Sequence, residues 1–113
     1  MLGNPYGGKT GLLNATDYEE VTVDATVGGV SLTAAKITSA ITHVLVRHEN
    51  GPSNFRIDGG APVSGAGTPA SPSGWPVYDG DQIWLSRQAA QNLRAIRQGA
   101  TNGYLRVIYF QDV

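Results

Sequence analysis

The 113-residue sequence contains no cysteine, and it has little charge of either sign. The missing thiols exclude disulfide bonds, thiolate-bound metals and a cysteine nucleophile together. Eight basic and nine acidic residues give a net charge of −1, which is too weak a field to attract nucleic acid or an anionic membrane. No apolar run approaches the roughly 20 residues of a membrane span. We therefore expect neither a nucleic-acid nor a membrane partner.

In contrast to charged residues, glycine is abundant, with 15 residues in the sequence. A chain rich in glycine, threonine and valine suits a β-protein with many turns, and its length suffices for one domain with a real core. The sequence predicts an all-β fold, namely an antiparallel β-sandwich or barrel-like domain of about seven to eight short strands. We assign residues 17–113 to this single domain and residues 1–16 to an extended N-terminal arm.

The arm contains a match to a nucleotide-binding pattern. Residues 3–10, Gly-Asn-Pro-Tyr-Gly-Gly-Lys-Thr, fit G-x-x-x-x-G-K-[ST]. The chemistry of that pattern requires a buried strand before the loop and a helix after it, so that backbone N–H groups converge on the phosphates. Only two residues precede Gly3, and Gly11 follows the threonine, so we favour a glycine-rich arm. Nucleotide binding that depends on Lys9 is the enzyme alternative.

Alternation of apolar and polar residues predicts the strands of the domain. The predicted strands are 18–27, 30–35, 41–48, 53–58 and 82–86. The first should point its valines inward and its Glu20, Thr22 and Asp24 outward. Phe55 and Ile57 should point inward from the fourth, which we expect to pair with the third as a hairpin. In the fifth, Ile83 and Leu85 should point in and Trp84 out.

Glycine, proline and aspartate mark the connections between these strands. Gly28-Gly29, residues 49–52 and residues 77–81 are predicted turns, and residues 36–40 are a turn or a single helical turn.

Residues 59–76 carry five glycines and four prolines, a composition that cannot form an inner strand. A loop this long in a compact domain is mobile or functional. Trp75, at its end, is either a contact residue or a cap on the core.

The end of the sequence predicts the strand around which the domain is organised, residues 104–110. Leu105, Val107 and Tyr109 share one face, whereas Tyr104, Ile108 and Phe110 share the other. Because both faces are largely apolar, this strand should be covered on both sides, by a central position in a sheet or by a subunit contact.

Residues 87–98 can be read in two ways. They form either one helix capped by Ser86, or a helical turn over 87–91 followed by a strand over 93–98. We favour the second, because it supplies a hairpin partner for the last strand.

Few residues have the pattern that chemistry requires. His43 and His48 lie five apart on a strand and therefore on opposite faces, so they cannot ligate one metal together. Asp58, Asp79 and Asp81 lie at turns, where aspartate caps the backbone, and calcium binding by the last two would need further oxygen ligands. We therefore assign no catalytic, cofactor-binding or metal-binding residue, and we expect no enzyme activity.

Arginines recur on the predicted strands, where they should pair with acidic side chains or, alternatively, meet an acidic partner surface. The arginines are Arg47, Arg56, Arg94, Arg97 and Arg106, and their candidate partners are Glu19, Glu20, Asp24 and Asp58.

Three pieces of the sequence carry a resemblance to a known class of proteins. They are Val21-Thr-Val-Asp-Ala-Thr followed by Gly-Gly-Val-Ser-Leu-Thr, Phe55-Arg-Ile-Asp-Gly followed by Ala61-Pro62, and residues 93–102 leading into Leu105-Arg-Val-Ile-Tyr-Phe. Together they resemble small virion proteins of tailed bacteriophages, of the capsid-decoration or head-accessory type. The resemblance implies a β-sandwich or β-barrel that often forms trimers and binds outside an icosahedral shell, and it brings no active-site residues.

This resemblance gives the functional expectation. We expect a capsid decoration, or cement, protein on the virion surface, a homotrimer that bridges subunits of the major capsid protein and stabilises the shell. The alternative is a collar, tail or fibre component that binds a receptor or glycan through the 59–76 loop. The predicted contact residues are Leu2, Pro5, Tyr6, Leu12 and Leu13 in the arm, and Trp75, Tyr78 and Trp84 in the domain.

Overall fold

A computed structural model of the chain describes residues 13–65 and 73–112. Its elements in order are β1 (Leu13–Val23), β2 (Val30–Ser31), a 3₁₀ turn (Ala34–Lys36), β3 (His43–Asn50), β4 (Ser53–Arg56), β5 (Trp75–Val77), β6 (Gln82–Ser86), α1 (Arg87–Asn92), β7 (Arg94–Arg97) and β8 (Gly103–Asp112). The strands form two antiparallel four-stranded sheets. Sheet A has the order β1-β8-β3-β6, and sheet B has the order β2-β7-β4-β5. The protein is therefore the all-β sandwich that the sequence predicts.

The core lies between the two sheets and is built from the alternation of their strands. Leu105, Val107 and Tyr109 point inward from β8 and are fully buried, as predicted. β8 lies between β1 and β3, which is one of the two positions predicted for it. The predicted cover on both faces is not found in the described residues, since Tyr104 on the outer face is exposed and Ile108 and Phe110 are half-buried. Leu85 points inward from β6 and Trp84 outward, also as predicted.

The two predicted hairpins are absent. β3 and β8 pair in sheet A, whereas β4 and β7, their neighbours along the chain, pair in sheet B. The chain therefore crosses between the sheets twice, at residues 51–52 and at residues 98–102. The two crossings are bonded to each other, since Gly51 donates its N–H to the Asn102 carbonyl (3.1 Å) and Gln98 donates to the Pro52 carbonyl (2.9 Å). A corner and a tight turn use the same glycine, proline and asparagine residues, so the sequence does not separate them.

Several element boundaries also differ from the prediction. β1 begins at Leu13, so residues 13–16 of the predicted arm belong to sheet A, where Leu13 lies opposite Asp112. β1 ends at Val23, and β2 spans only two residues, with the 3₁₀ turn where its continuation was expected. β4 ends at Arg56, which leaves Ile57 exposed rather than inward.

The segment after β6 follows the favoured prediction. α1 is a short helix whose first turn is capped by Ser86, since Ser86 Oγ accepts a hydrogen bond from Ala89 N–H (3.2 Å). β7 follows directly after Leu93. The continuous helix over 87–98 is therefore excluded.

An acidic residue that breaks the alternation of β1 lies on its inner face. Glu19 is only 9% exposed, and its Oε1 accepts a hydrogen bond from the Thr33 N–H at 2.9 Å, which ties β1 to the 3₁₀ turn. Burial raises the pKa of the Tyr109 hydroxyl above its ordinary value, and the negative charge of Glu19 raises it further.

This buried tyrosine predicts a loss of stability in alkali. Above about pH 10 the unfolded chain ionises Tyr109 while the folded protein keeps it neutral, so the free energy of unfolding should fall as the pH rises. Urea unfolding at pH 8 and pH 11 measures this fall, which should be smaller in Tyr109→Phe than in the wild type. The control is Tyr104→Phe, on the exposed side of the same strand. Equal falls in the wild type and in Tyr109→Phe would contradict the prediction.

Candidate functional site

A row of apolar side chains crosses all four strands on the outer face of sheet A. The strand registers place Tyr18 opposite Ile108, Ile108 opposite Leu45, and Leu45 opposite Trp84. Trp84 is 54% exposed and Tyr18 is 45% exposed, whereas the two aliphatic side chains between them are half-buried. Because outward-facing residues in aligned registers are neighbours, the four form one continuous surface.

Phe110 extends this surface along the strand direction. Its ring centroid lies 5.3 Å from that of Trp84 with the planes tilted by 43°, which is the spacing of a favourable aromatic pair. We call Tyr18, Leu45, Trp84, Ile108 and Phe110 together the aromatic face. Leu45 and Ile108 lie on the two central strands of sheet A, whereas Tyr18 and Trp84 lie on its edge strands. All four strands are hydrogen-bonded into the sheet, so the backbone of this face is in place before another surface makes contact.

The next row of the same sheet face is charged, and its charges are paired with one another. Glu20 lies opposite Arg106, which lies opposite Arg47. The Arg106 guanidinium donates to Glu49 Oε1 (2.6 Å) and Glu20 Oε1 (3.0 Å), and Arg47 lies 3.2 Å from Glu49. The contact between Arg106 and Glu20 confirms one predicted pair, whereas Glu49 is not among the predicted partners.

The hydrogen bonds of this row also reach the aromatic face. The Tyr18 hydroxyl donates to Glu20 Oε1 (2.7 Å) and accepts from Arg106 (3.2 Å). The bond to Glu20 raises the pKa of Tyr18, and the bond from Arg106 holds the pKa of Glu49 below its usual range. The ring of Tyr18 is therefore fixed at one end of the aromatic face, beside a charged row of zero net charge.

A second apolar feature lies at one open edge of the sandwich. β5 is the edge strand of sheet B and β6 is the edge strand of sheet A. Between them opens a pocket of about 280 Å³, lined by Phe55, Ile57, Trp75 and Ile83. Trp75 is 73% exposed and lies opposite Phe55 in the β4–β5 register. We call this the edge pocket.

The structure brings some of the predicted contact residues to these two sites. Trp84 belongs to the aromatic face and Trp75 to the edge pocket, so Trp75 does not cap the core. Tyr78 is exposed in the turn between β5 and β6, and its N–H donates to Asp81 Oδ2 (2.8 Å). Leu13 lies in β1, at its first residue. The remaining predicted contacts and the P-loop pattern of residues 3–10 fall outside the described residues; the contacts are Leu2, Pro5, Tyr6 and Leu12.

Sequence reasoning missed two of the five residues of the aromatic face, Tyr18 and Leu45. Alternation placed Ile108 and Phe110 on the outer side of β8, but it did not indicate that Tyr18 and Leu45 lie beside them. That adjacency depends on which strands pair and in which register. The period-two pattern of each strand contains neither.

The turn aspartates act as backbone acceptors, as predicted. Asp79 accepts from the Asn50 N–H (2.8 Å), and Asp58 accepts from the Gly60 N–H (3.1 Å) and from Arg56. The hydrogen bond from Arg56 is the main cause that lowers the pKa of Asp58.

The two histidines point to opposite faces of β3, as predicted. His48 is buried, with its Nε2 2.9 Å from Ser53 Oγ, whereas His43 lies near Asp112 on the outer face. Over residues 13–65 and 73–112 no three His, Asp or Glu side chains converge as a metal site would require. Within the same residues, no helix is long and apolar enough to cross a membrane.

Comparison of the whole chain with protein-family models, with curated proteins and with solved structures finds no match. The two apolar surfaces described above are therefore the observations from which a function must be argued.

Proposed function

We propose that this chain is a structural virion protein that decorates the outside of a tailed-phage head and stabilises the shell. The aromatic face is the observation that carries the proposal, because a rigid sheet surface with exposed Trp84 and Tyr18 suits docking on another protein. The resemblance of three sequence pieces to decoration proteins supplies the partner, the major capsid protein.

The paired charges beside the aromatic face suit this role. Arg106, Glu20 and Glu49 satisfy one another before any partner arrives, so docking removes few unpaired charges from water. A surface of this kind gains its binding energy from apolar contact and loses little to side-chain ordering.

Repetition supplies the rest of the affinity. A shell presents the same site many times, and a decorating homotrimer would engage several subunits at once. Once one subunit has docked, the others bind at a high effective concentration, so weak individual contacts add to a tight clamp. The trimer is part of the proposal, and sedimentation of the purified protein measures it.

The experiment that tests the docking surface uses heads that lack this protein. Trp84→Ala should weaken binding of the purified protein to such heads by about thirty-fold, the effect of truncating a central interface tryptophan. The control is Val27→Ala, which alters an almost fully exposed residue outside the aromatic face. Unchanged binding of Trp84→Ala would show that the aromatic face does not contact the shell.

A second candidate function is a collar, tail or fibre component that binds a receptor or glycan. The exposed Trp75 beside the edge pocket favours it, because an accessible aromatic ring is a common contact for a ligand. Quantitative mass spectrometry of particles separates the two. Hundreds of copies per particle support decoration of the shell, a dozen or fewer support the second function, and absence from particles contradicts both.

A further inference from the structure

We propose that the edge pocket is a docking site for Tyr6 from the N-terminal segment of a second copy of this chain. The proposal goes beyond shell binding, since it concerns contacts between copies. It rests on the composition of the pocket, the charge beside it, and the distance from the pocket to the start of β1.

The walls of the pocket call for one apolar, preferably aromatic, side chain. All four lining residues are apolar, and two of them are aromatic, Phe55 and Trp75. An aromatic guest gains burial and also the ring–ring contacts that such walls offer. In residues 1–12, Tyr6 is the one aromatic residue, and the glycines that follow it allow a backbone to approach a strand edge closely.

The charge next to the pocket complements the same segment. Asp81 lies two residues before Ile83, about 7 Å along the strand. Asp79 and Asp81 both lie in the turn that enters β6, and within the described part of the chain neither forms an ion pair. Lys9 is the one charged side chain of residues 1–12 and follows Tyr6 by three residues, a span of about 10 Å. With Tyr6 in the pocket, Lys9 can therefore reach these carboxylates.

Geometry assigns the guest to a second copy rather than to the same chain. Residue 13 starts β1 on the far edge of sheet A, and β8 and β3 separate it from β6, a distance of about 14 Å. It also lies about five residues beyond Ile83 along the strand direction, which adds about 17 Å. The direct line is thus about 22 Å, whereas seven fully extended residues span at most about 25 Å.

The path around the edge strand β6 uses up the small difference between these two lengths. Ile83 points to the inner side of β6, so a segment that crosses the outer face must also turn around the edge strand. Filling its own pocket would therefore require the segment to be held at nearly its full length, which carries a large cost in conformational entropy. The segment of a neighbouring copy has no such restriction.

The absence of cysteine makes disulfide trapping a clean test. Two full-length variants are mixed under mild oxidation: Pro5→Cys, which retains Tyr6, and Ile57→Cys at the exposed rim of the pocket. We expect a heterodimer joined through residues 5 and 57, identified by mass spectrometry. It should form at least ten times faster than the link between Pro5→Cys and Val27→Cys, whose second position is an exposed turn away from the pocket.

Further variants decide between the possible outcomes. Adding Tyr6→Ala to the Pro5→Cys chain should reduce the rate to that of the Val27→Cys control. Rates equal to the control from the outset would overturn the proposal. A chain carrying both Pro5→Cys and Ile57→Cys should form few internal disulfides, and rapid internal closure at all concentrations would overturn the assignment to a second copy. All of these measurements use free protein, so their failure leaves the shell-binding experiment unaffected.

Discussion

Replacement of Gly103 by alanine should destabilise the domain by about 3 kcal/mol, the sum of overpacking and a broken buried hydrogen bond. Gly103 begins β8 at the point where the two crossings between sheets meet. A Cβ atom there would lie 2.5 Å from His48 Nε2, 2.7 Å from Ser53 Oγ and 2.8 Å from the Gly51 carbonyl oxygen. His48 and Ser53 are fully buried and bonded to each other, so neither side chain can move away without losing its partner.

Urea unfolding of Gly103→Ala at neutral pH measures this loss. Gly99→Ala is the matched control, because it makes the same change in the same connection at a position where a Cβ atom would meet nothing within 4 Å. That control should change the free energy of unfolding by less than about 1 kcal/mol. If both variants unfold at the same urea concentration as the wild type, the packing at the crossing is looser than described.

Replacement of Asn54 by aspartate should also destabilise the domain by about 3 kcal/mol, because it replaces a buried hydrogen-bond donor by a carboxylate oxygen that repels the two carbonyl oxygens it faces. Asn54 is 1% exposed, and its side-chain amide donates to the carbonyls of Val63 (2.8 Å) and Gly65 (2.7 Å). Its Oδ1 accepts from Gln98 Nε2 (3.0 Å). An aspartate would retain the acceptor and place an oxygen against two carbonyl oxygens.

The local effect of this substitution separates it from a general loss of stability. The N–H of Val63 donates to the Ser73 carbonyl and that of Gly65 to the Gln98 carbonyl, so these two amides should exchange with solvent faster in Asn54→Asp than in the wild type. Asn14→Asp makes the same chemical change at an exposed position of β1 and should leave their exchange unaltered. Unaltered exchange in Asn54→Asp would show that Asn54 does not hold the segment in place.

The sequence predicts those parts of this fold that depend on one strand at a time. The inward face of β6 follows from period two, as does the grouping of Leu105, Val107 and Tyr109 on one face of β8. The change from helix to strand after Asn92 is also predicted, but from a hairpin with β8 that does not form, since β7 pairs with β2 and β4. Strand pairing depends on contacts between distant residues. The sequence predicts a tight turn at Gly51 and Pro52, where the structure has a corner between the two sheets, because both structures use the same residue types.

In the candidate sites, too, single residues can be predicted from the sequence, whereas their neighbours on other strands cannot. Trp75 stands out in the sequence because it ends a loop rich in glycine and proline, and Trp84 because alternation turns it away from the inward Ile83 and Leu85. The partners that turn each tryptophan into a site, Ile83 for the first and Phe110 for the second, come from other strands and are visible only once the registers are known. Asn54 and His48 gave no signal, since a buried hydrogen-bonding residue looks like a surface residue until its cover is known.

The central position of β8 in sheet A affects how the protein can fold while it is being synthesised. β8 is the last of the described strands to leave the ribosome, yet it joins β1 to β3 in sheet A. Until residues 103–112 emerge, β1 has no partner in sheet A, and β3 has only β6. The nascent chain must therefore keep its first strand free of aggregation until residues 103–112 have been made. Sheet A is completed by contacts between residues distant in the sequence, and such contacts form slowly. We therefore expect that chaperones which bind the growing chain increase the yield of folded protein.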